Sequence, residues 1–352
     1  MKKLLSKIQK RKQPKEPDGR ITTDTLAVHR EKVIAGGRKY KYPVQYARHK
    51  LVINASIIAG AALVLLLIAV WVLLYPVKNS SDFMYRVTRV LPVPVASVDG
   101  QMVRYSDYLM KYRSALHYLT EKERVDIHTE DGKRQRIFVQ NSAMDDAVAD
   151  AYAQKLAKQQ HLTVSSSQVD AFLERARHAD DEEISEAAQA GVLADYYGWT
   201  VDEYRDVIRQ KLLRQAVSYK VDEAARSLAK KIAGQAKSDA SFKDIAGALN
   251  AGKNEAVLYM PAAWLPRENQ DGGLAQAAAK LKKGEVSEAI KTPGDGYYFV
   301  RLVDSNDTQV EYEYLHVPLK QFDKNLRTIK KNGDISYYIE IPEQKDASRR
   351  KE

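Results

Sequence analysis

The chain has 352 residues, a formal net charge of +10 and no cysteine. The missing cysteines exclude disulfides, thiolate nucleophiles and cysteine zinc sites, so folding does not depend on an oxidising compartment. Seven histidines lie scattered at 29, 49, 117, 128, 161, 178 and 316 without an HExxH-like pair, so neither a metal site nor a cofactor is expected.

The charge is unevenly placed. Residues 1–50 hold 15 Lys+Arg against 4 Asp+Glu; that +11 exceeds the whole-chain +10 and leaves −1 for residues 51–352. A basic tail of this kind suits anionic lipid and membrane topology better than nucleic acid, and no nucleic-acid partner is expected. Within it, Leu4, Leu5 and Ile8 could line one side of a short amphipathic surface helix, with a solvated charge run as the equal alternative. Gly36-Gly37 and Pro43 are expected to interrupt anything longer, and residues 1–50 read as poorly ordered.

Residues 51–77 carry no charge, and Ile57–Tyr75 is a 19-residue apolar stretch within them. As a helix that stretch is about 28 Å long, close to the hydrocarbon thickness of a bilayer. Trp71 and Tyr75 sit at its trailing end, where amphipathic rings favour the headgroups, and Pro76 follows. The expectation is a single-pass anchor, with residues 1–50 cytoplasmic and residues 78–352 extracytoplasmic, rather than a cleaved leader.

Residues 78–94 read as a linker. Val95–Val103 reads as two short strands around an Asp99-Gly100 turn. Ser106 fits the N-cap of a helix through Tyr108, Leu109, Tyr112, Leu116 and Leu119. After a polar stretch near residues 121–136 comes a helix with Met144, Val148, Tyr152 and Leu156. Another carries Val169, Phe172 and Leu173. Asp180-Asp-Glu-Glu suggests a solvated helix start. Thr200 and Glu203 form a capping box for a helix with Val207, Ile208, Leu212 and Val217.

This succession resembles the N-terminal chaperone domain of the SurA, PrsA and PpiD group of extracytoplasmic foldases. VASVDGQMVRYSDYLMKYR is similar to that family's opening hairpin and helix. MDDAVADAYAQKLAKQQHLTVSSSQVDAFL is similar to its long helix, "Val-Ser" linker and next helix, and GWTVDEYRDVIRQKLLRQAV to its last helix before the isomerase module.

The following segments resemble a parvulin-type (PpiC) prolyl isomerase. Ser241-Phe-Lys-Asp-Ile-Ala is similar to its "hydrophobic-x-x-Leu-Ala" helix. Trp264 to Gly284 matches its centre without a gap, and Gly296-Tyr-Tyr-Phe-Val-Arg-Leu looks like its last strand. The resemblance implies an apolar cup that seats a proline ring beside polar groups that stabilise a twisted amide. It places the substrate-binding set at Trp264, Gln270, Leu274, Ala279, Tyr298 and His316. Here Gln270 replaces the pocket Met, Leu274 and Ala279 the two Phe, and Tyr298 the last strand's His. The cup should be shallow and isomerase activity weak or lost. An active isomerase would rely on His316, Tyr298 and Gln270.

The family's first strand, which carries another His, has no room before the helix Val221–Ala236. Val310, Tyr312 and Tyr314 instead follow a strand period after a turn at residues 305–308, and Leu315-His316-Val317 resembles the missing strand. The expectation is a permuted module in which Gln309–Leu319 folds back on Gly296–Val303 and His316 lies close to Tyr298. Ile335–Ile341 reads as one more strand, and Lys345–Glu352 as a charged tail.

The fold class expected is α+β. Its parts are a basic tail (1–50), an anchor (51–77), a linker (78–94), a helical chaperone domain (95–220), a small parvulin-like domain with an antiparallel sheet (221–320), and a terminal strand and tail (321–352). The function expected is a membrane-anchored chaperone for unfolded, newly exported polypeptides, which 21 Tyr against 6 Phe would suit through adaptable contacts. The alternatives are an active prolyl isomerase with an atypical pocket and an envelope structural or adaptor protein.

Overall fold

The computed structural model describes residues 22–41, 43–179, 182–236, 240–251, 256–292 and 295–342. The amphipathic stretch around Leu4–Ile8 and the tail Lys345–Glu352 lie outside them. The chain divides into two units, Met1–Trp71 and Val72–Glu352.

The first unit is built from α1 (Thr23–Lys41) and most of α2 (Pro43–Leu74). Contrary to expectation, α1 runs straight through Gly36 and Gly37. A helical glycine costs about 1 kcal/mol relative to alanine but does not forbid the helix. Pro43 opens α2, where its missing N–H removes no hydrogen bond. His49–Leu74 is the one helix among the described residues long and apolar enough to cross a membrane.

The second unit begins with the last turn of α2. Leu74 is fully buried, and its carbonyl accepts a 2.7 Å hydrogen bond from the Tyr105 hydroxyl. The expected linker contains a helix, α3 (Asp82–Val90), capped by Ser81 and burying Met84, Tyr85 and Thr88. Its amphipathic signal is only about two and a half turns long. It is secured by Arg113, which pairs with Asp82 and lies 4.7 Å above the Tyr85 ring.

The hairpin forms as expected from β1 (Pro94–Val98) and β2 (Gln101–Arg104), with Asp99 and Gly100 both at positive φ. Strand β2 feeds directly into α4 (Tyr105–His117), so the N-cap is Arg104 and not Ser106. Arg104 also pairs with Asp107 in the first turn, at 2.9 Å. A π-turn (Tyr118–Lys122) leads to α5 (Glu130–Gln159), then α6 (Ser166–Arg177). The acidic run does not start a helix: Glu182–Glu183 form β4, paired with β3 (His178–Ala179), while Asp180 and Asp181 lie outside the described residues. Ser185 then caps α7 (Glu186–Val192), which passes into a second π-turn (Leu193–Tyr197). The capping box of Thr200 and Glu203 is present at the head of α8 (Val201–Val221).

Only Asp222 separates α8 from α9 (Glu223–Gln235), so no strand precedes α9. Next come α10 (Phe242–Asn250), β5 (Leu258–Pro266), α11 (Leu274–Ala278), β6 (Ile290–Lys291), β7 (Gly296–Ser305) and β8 (Gln309–Pro318). The sheet order is β5-β8-β7-β6, antiparallel throughout. The chain's late strand β8 therefore occupies a central position, as the permutation requires. Gly296 opens β7 at φ 154°, where a Cβ would stand 2.1 Å from the Val317 carbonyl oxygen.

One face of this sheet packs on α9 and α10 through Tyr297, Phe299, Leu315 and Val317 against Ile232, Phe242 and Ile245. The other packs on α11 through Tyr298, Val300, Leu302, Val310 and Tyr312 against Leu274, Ala275 and Ala278.

Two late elements return to the helical domain. Helix α12 (Gln321–Asn332) lays Phe322 5.5 Å from Tyr152, and Lys330 pairs with Asp145 at 2.9 Å. Strand β9 (Ile335–Tyr337), shorter than expected, pairs with β1 to make the hairpin a three-stranded sheet.

Candidate functional site

The antiparallel register brings Tyr298 and His316 opposite each other on β7 and β8. Side chains of directly opposed residues share a face, and these two rings stack at 4.2 Å with 9° between their planes. The Nε2 atom of His316 lies 3.3 Å from the Asp295 carbonyl oxygen.

Period-two alternation puts Tyr314 and Tyr312 on the same face. Tyr314 lies 5.5 Å from Tyr298, and Tyr312 lies 6.3 Å from Tyr314. The result is a row of four rings along the middle of the sheet.

Two carboxylates fix the ends of this row. The Tyr298 hydroxyl donates to Asp295 at 2.7 Å, and the Tyr312 hydroxyl to Asp271 at 2.5 Å. Asp295 also accepts from the Thr292 hydroxyl, and Asp271 from the backbone N–H of Leu274 at 2.7 Å, which starts α11. Burial, then the hydrogen bond and negative charge of Asp295, push the Tyr298 phenol well up; burial and Asp271 do the same to Tyr312. Behind the row the Tyr219 hydroxyl donates to the Thr292 and Gly296 carbonyls at 2.9 and 2.5 Å. Burial foremost, with the charge of Asp295, raises its pKa to about 12. These phenols are structural donors at neutral pH, not proton carriers.

Leu274 is buried under Tyr298, and Ala279 is partly buried in the same cluster. Gln270 is exposed in the loop after β5. Trp264 stands apart from the expected set. A bulge between Met260 and Ala263 shifts β5, so Trp264 pairs with Glu311 on the opposite face, 43 % exposed.

Its place beside the ring row is taken by Leu258 and Met260, opposite His316 and Tyr314 and 37 % and 46 % exposed. Sequence reasoning missed these two, together with Tyr312, Tyr314, Asp271 and Asp295 as site groups. The alternation in β8 signalled the tyrosines; the carboxylates come from loops and left no periodic trace. Among the described residues no group of three or more His, Asp or Glu side chains could hold a metal ion.

A helical domain with an opening hairpin, followed by a four-stranded sheet carrying stacked polar rings, defines a class: a chaperone domain joined to a prolyl-isomerase-like module. A sequence model of the SurA-like N-terminal domain matches residues 50–218, and a model of the PPIC-type PPIase domain matches residues 189–313. The chain has the domain architecture of a SurA/PrsA/PpiD-type foldase. The two matches overlap along α7 and α8, the segment that links the domains. Comparison with curated proteins returned no match.

Proposed function

We propose that this protein is a membrane-anchored extracytoplasmic chaperone that holds unfolded, newly exported polypeptides, and that its parvulin-like module binds chain without efficiently isomerising it. The observation that carries the second half is the clamping of Tyr298 and Tyr312 by Asp295 and Asp271. An isomerase needs a cup to seat the proline ring and polar groups free to follow a twisting amide. Here the apolar cup is reduced to Leu274 and Ala279, two rings are fixed across it, and their hydroxyls are already engaged. The open rim at Leu258 and Met260 still offers apolar area to an extended chain.

The chaperone reading is separated from that of a dedicated adaptor by breadth. The full-length protein in detergent micelles should suppress aggregation of two unrelated chemically unfolded proteins at near-stoichiometric ratio. Protection of neither would leave the adaptor.

The anchored, outward-facing placement is supported by the apolar helix and the charge asymmetry around it. Because the chain lacks cysteine, a single cysteine introduced at Ser81 or Ser348 should react with an impermeant thiol reagent on intact cells, and one at Ser6 should not. Labelling at Ser6 alone would reverse the orientation.

A further inference from the structure

The helical domain contains a second surface, remote in sequence from the ring row. Its two π-turns, Tyr118–Lys122 and Leu193–Tyr197, lie against each other. His117 Nε2 is 3.0 Å from the Asp195 carbonyl, Lys122 pairs with Asp195 at 2.5 Å, and the same ammonium lies 4.6 Å from the centre of the Tyr196 ring. Such turns are rare and often shape functional sites, because the widened turn re-aims its side chains. Here Tyr118 from one turn and Tyr197 from the other line one cleft of about 530 Å³, together with Leu119, Phe138, Val139 and Trp199. Tyr118, Phe138 and Tyr197 are 41 %, 55 % and 42 % exposed. The Trp199 ring stacks on Tyr197 at 4.9 Å and completes the aromatic wall of the cleft.

The rim selects among occupants. Lys111 is neutralised by Asp150 at 2.7 Å. Arg214 pairs with both Asp150 and Asp146 at 3.4 Å, so these four charges balance, whereas Glu123 is exposed and makes no ion pair among the described residues. The uncompensated charge at the mouth is negative. Residues 343–352 are a poor candidate. The Pro342 carbonyl just before them accepts from Asn141 at 3.0 Å, one turn along α5 from Phe138. Residues 343–352, EQKDASRRKE, contain nothing larger and apolar than one alanine.

We propose that this cleft binds an aromatic side chain of an extended client segment in which Lys or Arg stands next to the aromatic residue. The proposal rests on the chaperone reading above. The ring is received by Tyr118, Phe138 and Tyr197, and the flanking cation by Glu123.

The test uses the full-length protein in detergent micelles and a fluorescein-labelled ten-residue peptide with a central Lys-Phe-Lys in a Gly/Ser background. Two control peptides carry Lys-Ala-Lys or Glu-Phe-Glu. The expected order of affinity is Lys-Phe-Lys well above both controls. Phe138→Ala, at an exposed position that leaves folding intact, should weaken Lys-Phe-Lys binding about tenfold. Glu123→Lys should weaken it about threefold at low salt, narrowing or inverting the preference over Glu-Phe-Glu, and this difference should fade at high salt. Aggregation suppression is measured on the same samples. If suppression is present but the peptide fails to bind, or binds both variants as it binds the unaltered protein, the cleft is not the client site and this proposal fails while the chaperone reading stands. If suppression is absent from the unaltered protein as well, the chaperone reading fails and takes this proposal with it.

Discussion

Ending the chain at Asp304 should abolish the cooperative unfolding of the parvulin-like module. The deletion removes β8, which pairs with β7 on one side and β5 on the other. With it go Val310, Tyr312, Leu315 and Val317, all at most 2 % exposed. At roughly 1.5–3 kcal/mol for each buried side chain, this loss alone is comparable to the 5–15 kcal/mol that separates folded from unfolded in a typical domain. It would also leave facing backbone edges on β5 and β7 unpaired.

The three tryptophans allow the two domains to be followed apart: with Trp71 and Trp199 replaced by Phe, Trp264 reports on the module, and with Trp71 and Trp264 replaced, Trp199 reports on the helical domain. The Trp264 transition should vanish. The Trp199 transition should survive but move to lower temperature, because α12 and β9 leave with the deletion. A second truncation after Leu319 keeps β8 and should restore the Trp264 transition while the Trp199 transition stays low. An unchanged, cooperative Trp264 transition in the shorter chain would show that β8 is not integral to the module.

Asp222→Ala should lower the melting temperature by about 10 °C or more. This carboxylate is 4 % exposed and stands at the joint between α8 and α9. One oxygen caps α9, accepting from the Ala225 N–H at 2.9 Å. The other accepts from the N–H groups of Lys320 and Gln321 at 2.7 and 3.0 Å, where the chain leaves β8 for α12. A helix cap contributes about 1 kcal/mol, and each hydrogen bond to a charged group about 1.5–3 kcal/mol. Their joint loss, roughly 4–7 kcal/mol, corresponds to a shift of about 10 °C or more at 2–4 °C per kcal/mol for a unit of this size. Asp222→Asn retains one acceptor oxygen and should fall between. A shift under 2 °C for the alanine variant would mean that the two chain segments are held together by other contacts.

How far the sequence revealed this arrangement depended on the range of the forces involved. The hairpin is legible because Asp99-Gly100 takes the positive φ values of a tight turn. The start of α8 is legible because Thr200 and Glu203 satisfy each other's backbone within four residues. The central position of β8 could be argued from what was missing, since Asp222 alone separates α8 from α9. Where a partner lies far along the chain, local pattern says little. Helix α3 is held by Arg113, and Asp271 and Asp295 acquire their roles only when β7 and β8 align beside their loops. The bulge that turns Trp264 away and leaves Leu258 and Met260 at the rim is likewise set by pairing with β8, not by β5 itself. Gly36 and Gly37 show the reverse error, a local cost too small to end α1.

A module that keeps a chain-binding platform while its apolar cup is closed should leave X–Pro isomerisation nearly uncatalysed. The most direct measurement is acceleration of cis-to-trans isomerisation of a short X–Pro peptide by the full-length protein, over a range of enzyme concentrations at 10 °C, where the spontaneous rate is slow. Rates within about twofold of the uncatalysed reaction are expected, which corresponds to less than about 0.5 kcal/mol of transition-state stabilisation. Turnover of the order of an ordinary parvulin, abolished by His316→Ala, would contradict a closed cup.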